Sequence, residues 1–150
     1  MGQSFVKNYM HIVFSTKHRV PLITPDIEPE LHRYLGGICN SLNCQSVKVG
    51  GYTDHVHILC MLSKNMAMSQ LMQELKSSSS KWIKTLGPDF RNFYWQTGYG
   101  AFSVRSSDID GVVRYIENQH AHHSEKSFQD EYRAILTKNK LEWDERYVWG

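Results

Sequence analysis

Only three cysteines occur in this chain, Cys39, Cys44 and Cys60, and no two of them form a Cys-x-x-Cys pair. An odd number without that spacing offers neither a disulfide framework nor a thiolate zinc site, so buried free thiols in a reducing cytoplasm are expected. No apolar run is long enough to span a bilayer as a helix, so no membrane partner is expected. The first residues, Met1 to Lys7, lack a charged segment followed by an apolar one, so no secretory signal is expected. Net charge is also scarce, at +2 with histidine neutral. A nucleic-acid partner is permitted, but any basic surface must arise from local clustering rather than from the total.

Histidine and tyrosine are abundant, with eight of each in 150 residues. Both serve at metal and phosphoryl-transfer sites, so their positions carry the argument. The 41% of hydrophobic residues against 21% charged is that of a folded chain, and the length suits one domain over residues 1–150. There is no internal repeat and no linker; Ser77 to Ser80 lies inside a helical pattern.

Tyr9 to Ser15 has the β-branched and aromatic content of a strand. A loop with two prolines follows, from Lys17 to Pro25. Ile27, Leu31, Tyr34, Leu35 and Ile38 then recur at helical spacing between Asp26 and Asn43. Gln45 to Tyr52 reads as a strand ending at Gly50-Gly51, and a third strand, His55 to Leu62, follows at once, so the two are expected to form a hairpin. A second helix is expected over Met68 to Leu86, capped by Ser69 and stopped by Gly87-Pro88. Phe93 to Val104 predicts a fourth strand, interrupted at Gly98 and Gly100. Ser106 to Asp108 opens a third helix, a last helix covers Phe128 to Asn139, and a tail runs from Trp143 to Gly150. The order matches the α+β, ferredoxin-like or RRM-like plan: an antiparallel sheet with two helices on one face and the first and third strands central. The other face is left for a ligand or an extra helix.

Alternation along the third strand places Val56, Ile58, Cys60 and Leu62 on an apolar face and His55, His57, Leu59 and Met61 on the other. The two histidines are therefore expected side by side on the open face, where two imidazole nitrogens suit one divalent ion. The plain alternative is two histidines on a half-exposed strand. On the third helix, Tyr115 and Gln119 are four residues apart and share a face beside the apolar Val112 and Ile116. A glutamine carbonyl is a suitable third oxygen ligand for magnesium or manganese, and a tyrosine hydroxyl beside that ion can attack a phosphodiester. Alternatively, Tyr115 is a core-edge residue and Gln119 is solvated.

Several stretches taken together resemble the HUH endonuclease superfamily, and within it the IS200/IS605-like single-tyrosine transposases. They are Tyr9-Met-His-Ile-Val-Phe-Ser-Thr-Lys-His-Arg19, Asp54-His-Val-His57, Trp95-Gln-Thr-Gly-Tyr-Gly-Ala-Phe-Ser-Val104 and Tyr115-Ile-Glu-Asn-Gln119. The resemblance covers about Tyr9 to Trp149. It implies that Tyr115 is the nucleophile that forms a 5′-phosphotyrosine link. It implies that His55, His57 and Gln119 hold Mg2+ or Mn2+, and that single-stranded DNA with subterminal hairpins is the substrate. It implies a homodimer in a bacterial or archaeal cytoplasm, in which the tyrosine helix of one subunit can serve the histidines of the other. A lone tyrosine on the helix favours the single-tyrosine branch. Asn118 precedes Gln119 rather than proline, which favours insertion-sequence enzymes over relatives that process repetitive palindromes.

Lys76, Lys81 and Lys84 on the second helix, with Lys17, His18, Arg19 and Arg105, are candidate DNA-backbone contacts; a solvated helix face is the alternative for the helical lysines. Trp95 and Phe102 fit a core at strand spacing, with Tyr99 a candidate for base stacking. His120, His122 and His123 read as solvated at a helix end, where positive charge suits the dipole, with a part in metal or phosphate binding as the alternative. His11 reads as a structural histidine with a supporting role at His57 open to it. The competing functional reading is a non-catalytic single-strand-binding module on an RRM-like sheet, which would want aromatics where the third strand has histidines. A phosphoesterase with two His-x-Ser/Thr motifs is set aside, because His122-His123-Ser124 has no partner.

Overall fold

The computed structural model describes residues 2–150. Four strands, β1 (Tyr9–Ser15), β2 (Ser46–Tyr52), β3 (His55–Met61) and β4 (Gly100–Val104), form one antiparallel sheet in the order β2-β3-β1-β4. The expected α+β, ferredoxin-like plan is present, with β1 and β3 central.

Helices α1 (Glu28–Ser41) and α2 (Met68–Lys84) cover one sheet face. Leu31, Leu35 and Cys39 of α1 are one turn apart and fully buried, and Leu71, Leu75 and Ile83 of α2 are fully buried along one face. They meet Ile12, Phe14, Val56, Ile58 and Cys60, the apolar alternates of the central strands. Pro29 is tolerated in the first turn of α1, where no backbone donor is needed. The start of α2 is satisfied by Gln70, whose side-chain oxygen accepts from the Ala67 backbone N–H at 2.9 Å; Ser69 lies within the helix and is not its cap.

The fourth strand is shorter than its sequence pattern suggests. Between Phe93 and Tyr99 only an isolated bridge, Thr16 to Trp95, joins the sheet. The backbone groups there have other partners. Lys76 Nζ donates to the carbonyls of Gln96, Thr97 and Gly98 at 2.7, 3.0 and 2.7 Å. The Gln96 side-chain oxygen accepts from the Ser15 N–H at 2.8 Å. Aromatic edges finish the region, with Trp95 against Phe14 and Phe93 at 4.8 Å.

The face that carries the histidines is not open. Helices α3 (Ile109–Glu117), α4 (Gln119–His123) and α5 (Phe128–Lys138) lie over it. Phe128, Tyr132 and Leu136 of α5 pack on Val13 and Phe102, with Trp149 beside them. Ser127 caps α5 by accepting from the Asp130 N–H at 3.1 Å. The expected third helix breaks at Asn118 (φ −92°, ψ 13°), so Tyr115 and Gln119 stand on successive helical segments rather than on one.

Gly50 of β2 sets how closely α3 approaches. A methyl group there would lie 2.6 Å from Ile116 Cγ2 and 2.9 Å from the Ile116 carbonyl oxygen. Gly50→Ala should therefore displace the helix that carries Tyr115 and lower stability by about 1–3 kcal/mol, the usual range for overpacking. A thermal melt reads this directly; an unchanged midpoint would mean that α3 yields freely.

Candidate active site

Two alternating positions of β3 supply the core of the site. His57 pairs across the sheet with Val13 and Gly50, and His55 with Ser15 and Tyr52. Both histidines are fully buried, rather than half-exposed, because α3, α4 and α5 roof them. Phe128 lies against the His55 ring at 4.5 Å, and Tyr115 lies edge-on to the His57 ring at 5.6 Å.

Each imidazole is held from behind. His55 Nδ1 donates to Asp54 Oδ1 at 2.7 Å, which aims Nε2 inward. His57 Nδ1 lies 2.8 Å from His11 Nε2, the supporting position left open for His11. In front, Gln119 is buried, with Oε1 2.9 Å from His55 Nε2. Thus His55, His57, Gln119 and Tyr115, picked out by pattern, meet within one chain.

Sequence reasoning missed Glu131 on α5. Its side chain is 2% exposed. Oε1 lies 3.3 Å from His55 Nε2, 3.2 Å from His57 Nε2 and 2.9 Å from His123 Nε2. Oε2 accepts from Gln119 Nε2 at 2.9 Å and, through a short bond, from the Tyr115 hydroxyl. The signal was available as an acid one turn after Phe128, the helix's first buried residue, but the surrounding Gln129, Asp130 and Arg133 made it look like an exposed face. His123 also departs from its expected solvated state. Its side chain is 2% exposed, and its Nδ1 donates to the Lys126 carbonyl at 2.6 Å. His120 does lie outward, on Glu28 at 2.7 Å. His122 Nε2 is buried without a hydrogen-bond partner.

Burial dominates the electrostatics. It pushes His11 down to about 3, aided by the neighbouring His57, and His57 down to about 4, so both are neutral imidazoles. Burial also acts to lower His55, but hydrogen bonds and charge from Asp54 and Glu131 outweigh it and raise the group to about 9. Burial disfavours an ionised Glu131, yet hydrogen bonds from His123, His55 and His57 hold it below the usual carboxylate range. Tyr115 is held well above its ordinary value, by burial first and then by the charge of Glu131.

The donor set fits a divalent cation. With Nδ1–H committed to Asp54, a neutral His55 turns a lone pair toward Gln119 Oε1 and Glu131 Oε1, so three acceptors converge. Such a meeting needs a proton or a metal ion between its members. Separations of 2.9–3.3 Å are hydrogen-bond distances, and they also bring ligand atoms of His55, His57 and Glu131 close enough to share one cation.

A cleft of about 1060 Å³ opens beside this cluster, with His11, Tyr115, His122 and Glu131 among its lining residues. Exposed Arg105, Arg114, Lys126 and Lys138 also line it, as do Asp108 and Asp110. Arg105 was expected to be basic surface, and it pairs with Asp108 at 3.0 Å. The other candidate contacts lie elsewhere. Lys76 is committed to three carbonyls, and its pKa is lowered to about 8 by burial. Lys17 and Lys84 flank the exposed Tyr94 ring at 5.8 and 4.3 Å. Lys81 is exposed in the last turn of α2, and Arg19 donates to the Trp149 carbonyl at 2.7 Å. Trp95 and Phe102 are core residues, and Tyr99 is exposed.

The model of the family "Transposase IS200 like" matches residues 4–119. The ISDra2 transposase TnpA of Deinococcus radiodurans is 21% identical over 115 residues, 73% of this chain and 82% of that protein. Two solved structures share the fold. A structure described as a candidate transposase from Deinococcus radiodurans R1 superposes with a TM-score of 0.62 at 21% identity, over 79% of this chain and 96% of its own. A REP-associated tyrosine transposase, solved bound to a REP hairpin, superposes with a TM-score of 0.61 at 15% identity, over 82% of this chain and 73% of its own. With the family match spanning all four strands and the Tyr115 helix, the chain belongs to the IS200-like transposases, enzymes of DNA transposition.

Proposed function

We propose that this transposase cleaves and rejoins single-stranded DNA at insertion-sequence ends, with Tyr115 as nucleophile and a divalent metal at the histidine pair. One observation carries the reading: Tyr115 lines a cleft with basic residues, its ring edge-on to the fully buried His57 and its hydroxyl hydrogen-bonded to the carboxylate that also meets His55. In the reaction, Tyr115 Oη attacks the scissile phosphorus. A bond from phosphorus to the tyrosine oxygen forms, and the bond to the 3′ oxygen of the preceding nucleotide breaks. The products are a 5′-phosphotyrosine and a 3′-hydroxyl, and rejoining is the reverse attack by a 3′-hydroxyl. The phenol proton passes to Glu131 Oε2, which already accepts a hydrogen bond from it. The 3′ oxygen takes up a proton from water in the cleft as it leaves.

Mg2+ or Mn2+, held by His55, His57 and Gln119, would polarise the phosphate and offset its developing charge. Asp54 and His11 orient the imidazoles, and α5 excludes water from the sheet side. Arg114, Lys126 and Lys138 are the phosphate contacts best placed for a strand entering the cleft. Lys17 and Lys84 around Tyr94 offer a separate stacking and phosphate surface. Hairpin-bearing DNA is the substrate proposed, supported by family membership and by the hairpin bound to the REP-associated neighbour. The homodimer belongs to the same proposal, although Tyr115 reaches the histidines of its own chain without one. The non-catalytic module loses its main support, because α5 occupies the sheet face on which bases would stack.

Tyr115→Phe should abolish covalent attachment to a labelled single strand while binding persists; an adduct of wild-type yield, seen on a denaturing gel, would remove Tyr115 from the mechanism. Asp54→Asn should raise the manganese concentration needed for cleavage by about 10- to 100-fold, as loss of a supporting carboxylate does elsewhere. A wild-type metal titration would show that Asp54 does not tune the site. Replacing both Arg114 and Lys126 by glutamate should weaken single-strand binding at least about tenfold, since each contact to phosphate contributes charge neutralisation. Unaltered affinity in a fluorescence anisotropy titration would direct the strand elsewhere.

A further inference from the structure

We propose that Glu131 is the anionic ligand of the metal site, forming with His55 and His57 a set of two histidines and one carboxylate, with Gln119 as an additional neutral ligand. This rests on the proposed metal-dependent reaction and adds to it a residue that lies outside the family-matched residues 4–119.

The first argument is charge. Glu131 is buried, and its ion-pair partners among the described residues are four histidines, with no lysine or arginine within 4.0 Å. A divalent ion held there would balance a buried carboxylate that no lysine or arginine approaches. The second argument is the count of hydrogens. His55 and His123 both spend Nδ1–H elsewhere, on Asp54 Oδ1 and the Lys126 carbonyl. Both Nε2 atoms meet Glu131 Oε1, at 3.3 and 2.9 Å, where either a proton on each nitrogen or one shared metal ion joins them to the carboxylate. A metal ion satisfies all of these atoms together.

The third argument is division of labour within one carboxylate. Oε1 faces the nitrogens of His55, His57 and His123, whereas Oε2 faces the Tyr115 hydroxyl and the Gln119 amide. One group therefore fixes the distance between metal and nucleophile. Two imidazoles with a carboxylate also leave positions free for phosphate oxygens and add the hard oxygen donor that magnesium and manganese prefer. The position is set by α5: Phe128 seats on the His55 ring, and Glu131 follows one turn later.

The test measures Mn2+ binding to the full chain without DNA, by calorimetry and by the loss of the free-ion electron paramagnetic resonance signal. Glu131→Gln should weaken binding at least about tenfold, by more than Gln119→Ala, and His57→Ala should remove it. If Glu131→Gln binds within twofold of wild type while His57→Ala does not bind, Glu131 is not a ligand and the metal reading survives. If wild type itself binds no Mn2+, both readings fall. Should Glu131→Gln fail to give a wild-type circular dichroism spectrum, wild-type crystals grown in manganese decide the matter. An anomalous peak bonded to Glu131 Oε1 supports the proposal; a peak held by His55, His57 and Gln119 with Glu131 turned away overturns it.

Discussion

His57 is confined on every side. β1 and β2 pair with its strand through Val13 and Gly50, its Nδ1 meets His11, and its Nε2 meets Glu131. Because strand side chains alternate, fixing this one register also fixes His55 on the same face and Val56 and Ile58 on the other. A slip of one residue would bury the imidazoles among Leu35, Leu71 and Leu75 and turn isoleucine toward Glu131. Hydrophobic burial on the α1–α2 side therefore enforces the geometry of the polar side. The apolar face determines which way the histidines point, and α5 determines what they meet.

Much of this was legible in the chain. The strand from Tyr9 to Ser15 has the bounds expected, because a β-branched and aromatic run flanked by polar residues leaves little latitude. The histidine face followed from period-two alternation, and the pairing of Tyr115 with Gln119 from spacing. What was not legible depends on long-range contacts. The frayed start of the fourth strand reflects an ammonium that arrives from α2, about 20 residues away in sequence and outside the strand's own signal. The break at Asn118 lies between two segments that both read as helix. Glu131 and His123 look like surface residues in sequence, and only the folding of α5 onto the sheet buries them.

The two faces also differ in how they resist change. The α1–α2 side is apolar throughout and depends on volume. The α5 side mixes a small apolar cluster of Val13, Phe102, Phe128, Tyr132 and Leu136 with a polar network that has few alternatives. Removing one partner from such a network leaves others unsatisfied, and the loss spreads beyond the residue changed. Here that network joins β1, β3, α3, α4 and α5 through His11, His57, Tyr115, Gln119 and Glu131.

The roofing of the histidines by α5 has a consequence for synthesis. His57 and Glu131 are 74 positions apart. At elongation rates of 5–20 residues per second, roughly 4–15 s separate their appearance. During that interval β1, β2 and β3 can pair and the α1–α2 core can form, while the histidine face is still uncovered and lacks its carboxylate. The proposed site is thus completed only after the central strands on which it rests.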